Sequence, residues 1–494
     1  MEKKASSPQK SRTTAESTPP TLRFSWSTGV AVGLIAVLAG ALRVIHLSSR
    51  SLTLDEGFSL FLARADAATF SRWIWHSEFN MVLYYGLLRM WLHLNSGEFW
   101  ARFLSVLCAV ATVPVIYLVG VRLFGRGAAL IACLLLAVHP FHLELSQQAR
   151  SYALLVLLVS LSSWYFLRMA ENASWANCVL YAAVSAAAIY SHFFAALVIL
   201  AQWLSLALWQ GPLPRRKFLQ ALATLAALLI PAGLYLLHSQ RSHVAWIPGP
   251  SWRQALEVLY SLTLSKARCL VYLTLWGIAL WCSFRQPRKR AWAYQFVAAW
   301  LLVPLAITGL AGLVQPLWVP RFLAVCLPAS VLFAAAGVMQ LTRWSRAAGV
   351  LALFLVMFYS GSAMRFYLRH PEFSVDWRTA ITYLLPRLQP GDEVVMDPYV
   401  RYTFDYYRQA GSLKVPPVIM ANSLATSLPA PAPRNVWVIA SVLVNPEDKS
   451  SGPEATQTQV QAFLDSHGKS YCAQPPRPET ASVEVWQLQR CGQP

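Results

Sequence analysis

The sequence predicts a polytopic α-helical membrane protein, with about eleven transmembrane helices and a soluble α/β domain at its C-terminal end. Three observations predict it. Only 13% of residues are charged while 56% are hydrophobic, against roughly 25% and 45–50% in soluble domains. Apolar runs close to spanning length follow one another between residues 28 and 366. The basic residues cluster in the short turns between those runs. A soluble core of this size would need a polar shell that these stretches cannot supply, so lipid is the simpler solvent.

Residues 1–27, rich in Lys, Ser, Thr and Pro, read as a disordered cytoplasmic tail. The run 28–47 is longer than a signal-peptide core and reads as a retained first helix. Further runs follow at 99–121, 127–142, 151–168, 176–191, 193–210, 218–237, 267–284, 291–312, 322–341 and 347–366, which makes 28–366 the membrane domain. With the N-terminus in the cytoplasm, Arg122, Arg126, Arg168, Arg215, Arg216, Lys217, Arg285, Arg288, Lys289, Arg290, Arg343 and Arg346 all fall on the inner side. The expected location is therefore the cytoplasmic membrane, crossed many times. An odd helix count then places residues 367–494 outside. This charge pattern also accounts for the net charge of +19 without a nucleic-acid partner.

The outer segments differ in kind. Residues 48–98 form a long first outer loop carrying Asp55, Glu56, Asp66, Glu78 and Glu98, with amphipathic pieces from Leu54 and from Met81 that suit the membrane interface. A second runs from His139 to Tyr152, a third from Gln240 to Leu264 with Arg241, His243 and Trp246, and a fourth from Gln315 to Arg321. Beyond residue 367 the pattern predicts a helix over 376–388, strands at 393–396, 436–440 and 483–488, a helix over 457–466, and a Pro-rich loop over 416–433. Cys108, Cys133, Cys178, Cys269, Cys282 and Cys326 lie in apolar runs and read as packing residues, whereas Cys472 and Cys491 in the polar tail can pair in an oxidising compartment.

The sharpest local feature is Leu52-Thr-Leu-Asp55-Glu56-Gly57, an acidic pair just after the first helix. Acids at the membrane surface are costly unless solvated or employed, and a helix N-terminus facing water would satisfy them equally. Further motifs follow in order. They are Tyr84-Tyr85, Ser96-Gly-Glu-Phe-Trp-Ala-Arg102, Phe124-Gly-Arg126, His139-Pro-Phe-His142, Ser146-Gln-Gln-Ala-Arg150-Ser-Tyr152, Tyr190-Ser-His192, Pro320-Arg321-Phe322 and Asp376-Trp-Arg378. Together with the acidic pair this series resembles the bacterial GT-C glycosyltransferases, membrane enzymes related to protein O-mannosyltransferases and lipid A aminoarabinose transferases. The chain departs from that pattern at Asn80-Met-Val-Leu, where the family commonly has Pro-Pro before the tyrosines, and at Gln148, where it often has Glu.

The resemblance implies transfer of a sugar from a polyprenyl-phosphate carrier to a hydroxyl of a lipid, glycan or protein acceptor, at the outer face of the membrane. It implies Asp55 as general base with Glu56 orienting or binding beside it. Arg150, Tyr152, His192 and Arg321 would then hold the donor phosphate, and Tyr84, Tyr85, His142, Gln147 and Gln148 would contact substrate. No redox cofactor is implied, and a divalent cation is left open. The residues alone also admit a secondary transporter of an anionic solute or a noncatalytic glycolipid-binding subunit. Transporters, however, place ionisable groups near the midplane of repeated halves, and here the charges crowd the outer ends.

Overall fold

The structure, a computed structural model, describes residues 26–211, 213–238, 251–263, 268–314, 317–369, 375–396, 399–410, 419–421, 434–441, 453–466, 471–474 and 483–491. The expected tail over 1–27 therefore lies almost wholly outside the described residues, as do Arg241, His243 and Trp246.

The chain enters through α1 (Trp26–Val44) and folds its first long loop, expected to be outer, into α2 (Leu54–Arg64), α3 (Ala67–Trp73) and α4 (Val82–Leu92). A π-turn at Ile74–Glu78 and a 3-10 turn at Phe79–Met81 join the last two. The bundle continues with α5 (Glu98–Leu123), α6 (Arg126–Ala137), α7 (Pro140–Ser146), α8 (Tyr152–Glu171), α9 (Trp175–Ser191) and α10 (Ala195–Ser205). Then come α11 (Arg215–Leu228), α12 (Ile230–His238), α13 (Trp252–Leu262), α14 (Cys269–Arg285), α15 (Arg288–Gly312), α16 (Leu327–Trp344) and α17 (Arg346–Arg369).

Each apolar run of the sequence coincides with helix, but not each is a straight span. Among the described residues 6 helices are long and apolar enough to cross a membrane, or up to 8 if each bent pair counts as one. Trp175–Ser191, Ala195–Leu208 and Cys269–Arg285 are apolar but shorter. The run 127–142 is broken: α6 and α7 meet at 58°. Pro140 is the reason, since it lacks an N–H and disfavours helix at the residue before it. The carbonyls released at the end of α6 need donors in an apolar setting. Arg43, fully buried at the end of α1, supplies them by donating to Ala137 O at 2.9 Å and Leu136 O at 3.3 Å. Gly125 opens α6 with φ +89°, a backbone only glycine adopts freely, which explains the Phe-Gly-Arg sequence.

The C-terminal domain contains α18 (Trp377–Leu384), β1 (Glu393–Met396), α19 (Val400–Ala410), β2 (Ile419–Ala421), β3 (Asn435–Ser441), α20 (Pro453–Ser466), β4 (Tyr471–Gln474) and β5 (Val483–Arg490). The sheet order is β2-β1-β3-β5-β4, parallel on the β2–β1–β3 side and antiparallel through β5 to β4. The region 416–433, expected as loop, holds the edge strand Ile419–Ala421, too short to show as a strand pattern. Strand alternation gives the sheet two apolar faces. Val395, Val436, Val438 and Leu488 pack with Val460 and Phe463 of α20. Val394, Trp437, Ile439 and Val485 share a core with α18, α19 and the first long loop, so loop and domain are one packed unit. Cys472 and Cys491 form a disulfide.

Candidate active site

The acidic pair opens α2, and the two acids meet opposite fates. Successive helical residues point about 100° apart, so one can turn inward while its neighbour faces out. Glu56 turns inward and is 1% exposed. It completes a capping box with Thr53, accepting from Thr53 N at 3.0 Å, and also accepts from Arg102 Nε at 2.7 Å, Arg102 Nη2 at 2.9 Å and Ala149 N at 2.9 Å. Burial pushes its carboxyl up, but the Arg102 charge and these hydrogen bonds outweigh burial and hold it below the usual carboxylate range. A carboxylate so occupied is a scaffold. Its oxygens are committed to neighbouring donors, an arrangement suited to the orienting role expected of it.

Asp55 faces out, with 42% of its side chain exposed. Its Oδ2 lies 3.3 Å from Arg321 Nη1 and 3.8 Å from Arg150 Nη2. Desolvation raises its pKa, while the guanidiniums of Arg150 and Arg321 lower it by more, leaving it below the ordinary value. Arg150, 8% exposed, is fixed by further bonds from Nη1 to Tyr85 Oη at 3.2 Å and Ser59 Oγ at 3.3 Å. Tyr85 Oη in turn donates to Glu78 Oε2 at 3.0 Å, at the end of the π-turn.

His192 caps α9 behind these arginines and is 1% exposed. Phe194 N donates to its Nδ1 at 3.3 Å, which places the ring proton of the neutral imidazole on Nε2. That Nε2 and the Tyr152 hydroxyl are buried without a hydrogen-bond partner among the described residues. The two rings lie 6.1 Å apart, and the His192 ring is 4.9 Å from Phe322, next to Arg321. The cluster is thus rich in donors that lack acceptors, the electrostatic signature of an anion seat.

Other expected contacts are employed elsewhere. Gln147 Nε2 donates to Arg43 O at 2.9 Å and Ile45 O at 2.8 Å, and His142 Nδ1 lies 2.8 Å from Arg43 Nη2. Both serve the broken α6–α7 span, so neither faces Asp55. Tyr84 is buried against Ser105 Oγ at 3.3 Å. Tyr85 reaches Arg150 and Glu78, and Gln148 is half-buried in the turn before α8. That turn is not helical, so Arg150 precedes α8, and Gln147 and Arg150 go to different partners. Arg102, Glu78 and Ser59 stand in the sequence pattern with no role assigned to them by it. Asn80, noted only as a departure, accepts from Phe193 N at 2.8 Å and pins the His192 turn. Among the described residues no group of three or more His, Cys, Asp or Glu is placed to hold a metal ion.

A broken helical bundle, a folded first loop opening on an acidic pair, and a mixed-sheet domain seated on that loop make a GT-C-like fold. The dolichyl-phosphate-mannose-protein mannosyltransferase family matches residues 81–237. The structure is similar to ArnT from Cupriavidus metallidurans bound to undecaprenyl phosphate, at 15% identity and TM-score 0.59, covering 93% of this chain and 98% of that one. It is also similar to the archaeal oligosaccharyltransferase AglB from Archaeoglobus fulgidus in complex with an inhibitory peptide and a dolichol-phosphate, at 11% identity and TM-score 0.53, covering 93% of this chain and 74% of that one. No curated protein is matched by sequence.

Proposed function

We propose that this protein transfers a sugar, with inversion, from a polyprenyl-phosphate carrier to a hydroxyl acceptor at the outer face of the cytoplasmic membrane. The observation that carries the reading is Asp55, a solvent-reachable carboxylate standing between the guanidiniums of Arg150 and Arg321. The acceptor oxygen attacks the anomeric carbon as the bond from that carbon to the phosphate oxygen breaks. The hydroxyl proton passes to Asp55, and the polyprenyl phosphate departs with its charge held by the two arginines. Arginine suits that task because its planar fork matches phosphate oxygens. Tyr152 and His192 supply the spare donors behind it.

Asp55 shares both guanidiniums with the phosphate proposed to bind them. A donor phosphate that draws Arg150 and Arg321 to itself removes the charges that depress Asp55, so the base strengthens once its substrate is bound. An apolar groove of about 590 Å³ between α4 and α9, lined by Val82, Gly86, Met90, Ala183, Ala187 and Tyr190, suits the carrier's hydrocarbon tail. The groove lies on the two helices that also carry site residues, since Tyr85 precedes Gly86 in α4 and His192 caps α9 two residues beyond Tyr190. The Cys472–Cys491 bridge fits an oxidising outer compartment. ArnT and AglB, whose structures hold a polyprenyl-type phosphate, support the donor class. The GT-C fold supports an enzyme over a secondary transporter.

The test is mass spectrometry of lipid-linked sugars in a deletion strain. A polyprenyl-phosphate sugar should accumulate and be cleared by the wild-type gene but not by Asp55→Asn, since losing a positioned base costs about 10²–10⁴-fold in rate. An unchanged lipid-linked pool, or full rescue by the Asn variant, would remove the assignment.

A further inference from the structure

The segment between α1 and α2 has no regular structure of its own, yet it carries Asp55 into place. Its backbone is gripped from two sides. From the membrane domain, Arg102 Nη1 donates to Leu47 O and Arg50 O, each at 2.9 Å, and its Nη2 to Ser51 O at 3.0 Å. From the C-terminal domain, Arg378 Nη2 donates to Ser48 O and Arg50 O, each at 3.0 Å, and its backbone N to Ser51 Oγ at 2.9 Å. Tyr407 Oη accepts from Leu52 N at 2.9 Å, immediately before the Thr53 cap. The same guanidinium of Arg378 is tied back to Glu98 at the start of α5 by a 2.5 Å bond.

The second grip lies on α2 itself. Gly57, one helical step past the acidic pair, is so close to α19 that a Cβ there would meet Thr403 Oγ1 at 2.2 Å and the Thr403 Cα and N at 3.0 Å. Real Cβ atoms do not approach that closely, so the third residue of Asp-Glu-Gly is small because a helix some 350 residues later in the chain packs on it. Tyr402 of α19 continues the contact, its ring centroid 5.1 Å from Phe58 and 4.6 Å from Phe61.

We infer that the C-terminal domain is the positioning half of the active site, with Arg378, Tyr407 and the α19 backbone packed on Gly57 setting the register of α2 and so the place of Asp55 against Arg150 and Arg321. This rests on the catalytic reading of Asp55. A displacement of α2 by about 1 Å would misalign the base, and misplacement on that scale can cost on the order of 10²-fold in rate. Donor binding, held largely by Arg150, His192 and Tyr152, would change little.

The experiment is a kinetic double-mutant cycle across the two domains, read as kcat and KM of the purified full-length protein with a polyprenyl-phosphate sugar. Gly57→Ala should lower kcat by about tenfold or more with donor KM within about twofold, and Thr403→Ala alone should stay within about twofold of wild type. Combining them removes the 2.2 Å clash with Oγ1, leaves the 3.0 Å contacts with Thr403 Cα and N, and should recover part of the lost turnover. Wild-type kcat for Gly57→Ala, or an equal defect with and without Thr403→Ala, would overturn the inference. Should Gly57→Ala fail to accumulate, Tyr407→Phe serves, because it removes one acceptor and keeps the ring. The Leu52 N–H left unpaired should lower the melting temperature somewhat, but kcat per folded molecule should also fall, whereas a merely structural contact would lower the folded fraction and leave turnover per folded molecule intact. A wild-type protein that turns over no lipid-linked sugar would instead refute the proposed function.

Discussion

Replacing Glu56 with Gln is the most informative test of how the site is held. The amide keeps the shape of the carboxylate, so the change removes charge and little else. Five contacts reach that carboxylate, from Thr53 N and Oγ1, Arg102 Nε and Nη2, and Ala149 N. Ala149 N bonds one carboxylate oxygen and Thr53 N the other, so Gln can still accept from only one of these two backbone N–H groups, and its amide nitrogen presents N–H both to the second and to a guanidinium that is 3% exposed. An uncompensated buried charge costs about 3–5 kcal/mol, and the three carbonyls that Arg102 retains on Leu47, Arg50 and Ser51 favour the lower figure. Against a total stability of roughly 5–15 kcal/mol, a loss of about 3 kcal/mol is large. The assay is thermal unfolding of the detergent-solubilised protein alongside turnover. We expect a lowered melting temperature, and a partial return of stability when Arg102→Met is combined with Glu56→Leu, since no lone charge then remains. The pH dependence has a definite sign: because the folded pKa of Glu56 is depressed, its contribution is present above the ordinary Glu value of about 4.3 and is lost as pH falls through the lower folded value. An unchanged melting temperature with normal turnover would refute the scaffold role.

Three further outcomes are expected. Arg321→Gln removes one of the two cations that depress Asp55, so the acid limb of the kcat/KM profile should move to higher pH; an unmoved limb would show that Asp55 does not limit the reaction. Arg150→Lys keeps the charge but loses the fork that reaches Asp55, Tyr85 and Ser59, and should weaken donor use by about 1.5–3 kcal/mol, or more than tenfold in kcat/KM; unchanged kinetics would return Arg150 to simple anchoring. Gly86→Leu enters open space, since a Cβ there meets nothing within 4 Å, and so should fill the α4–α9 groove without disturbing the fold. It should impair a long-chain donor while sparing a short-chain one, and equal effects on both would exclude the groove as the tail path.

Much of the fold was legible because it is written in solvent preference. Apolar runs and basic turns mark most helices of the bundle, though not α13 in the segment read as a third outer loop, and period-two patterns mark β1, β3 and β5. What escaped was short or depended on distant partners. Val400–Ala410, rich in Tyr and Arg, is a helix because its aromatic face meets α2, and Ile419–Ala421 is a strand because β1 lies beside it. The site was half legible. Asp55, Arg150 and Arg321 converge, as their shared position at outer helix ends suggested. Gln147 and His142 do not join them, because nothing local announces that Pro140 breaks a helix whose carbonyls must then be answered by Arg43. Arg102 stood in a motif whose meaning was hidden until its three carbonyl partners and Glu56 were brought together.

The Arg43 clasp also bears on how the chain is assembled as it enters the bilayer. A guanidinium within the membrane is costly alone, and so are the carbonyls at the end of α6, of which Leu136 O has only weak backbone donors. Synthesis delivers Arg43 first and those carbonyls 93 and 94 residues later. Until the α6–α7 bend arrives, α1 has reason to keep its outer end in the headgroup region, and the bend has no stable seat until α1 is there to meet it. The two therefore settle into lipid as a pair. A nascent chain cut before residue 137 would leave α1 shallow and exchangeable, and one cut just after α7 would find it locked.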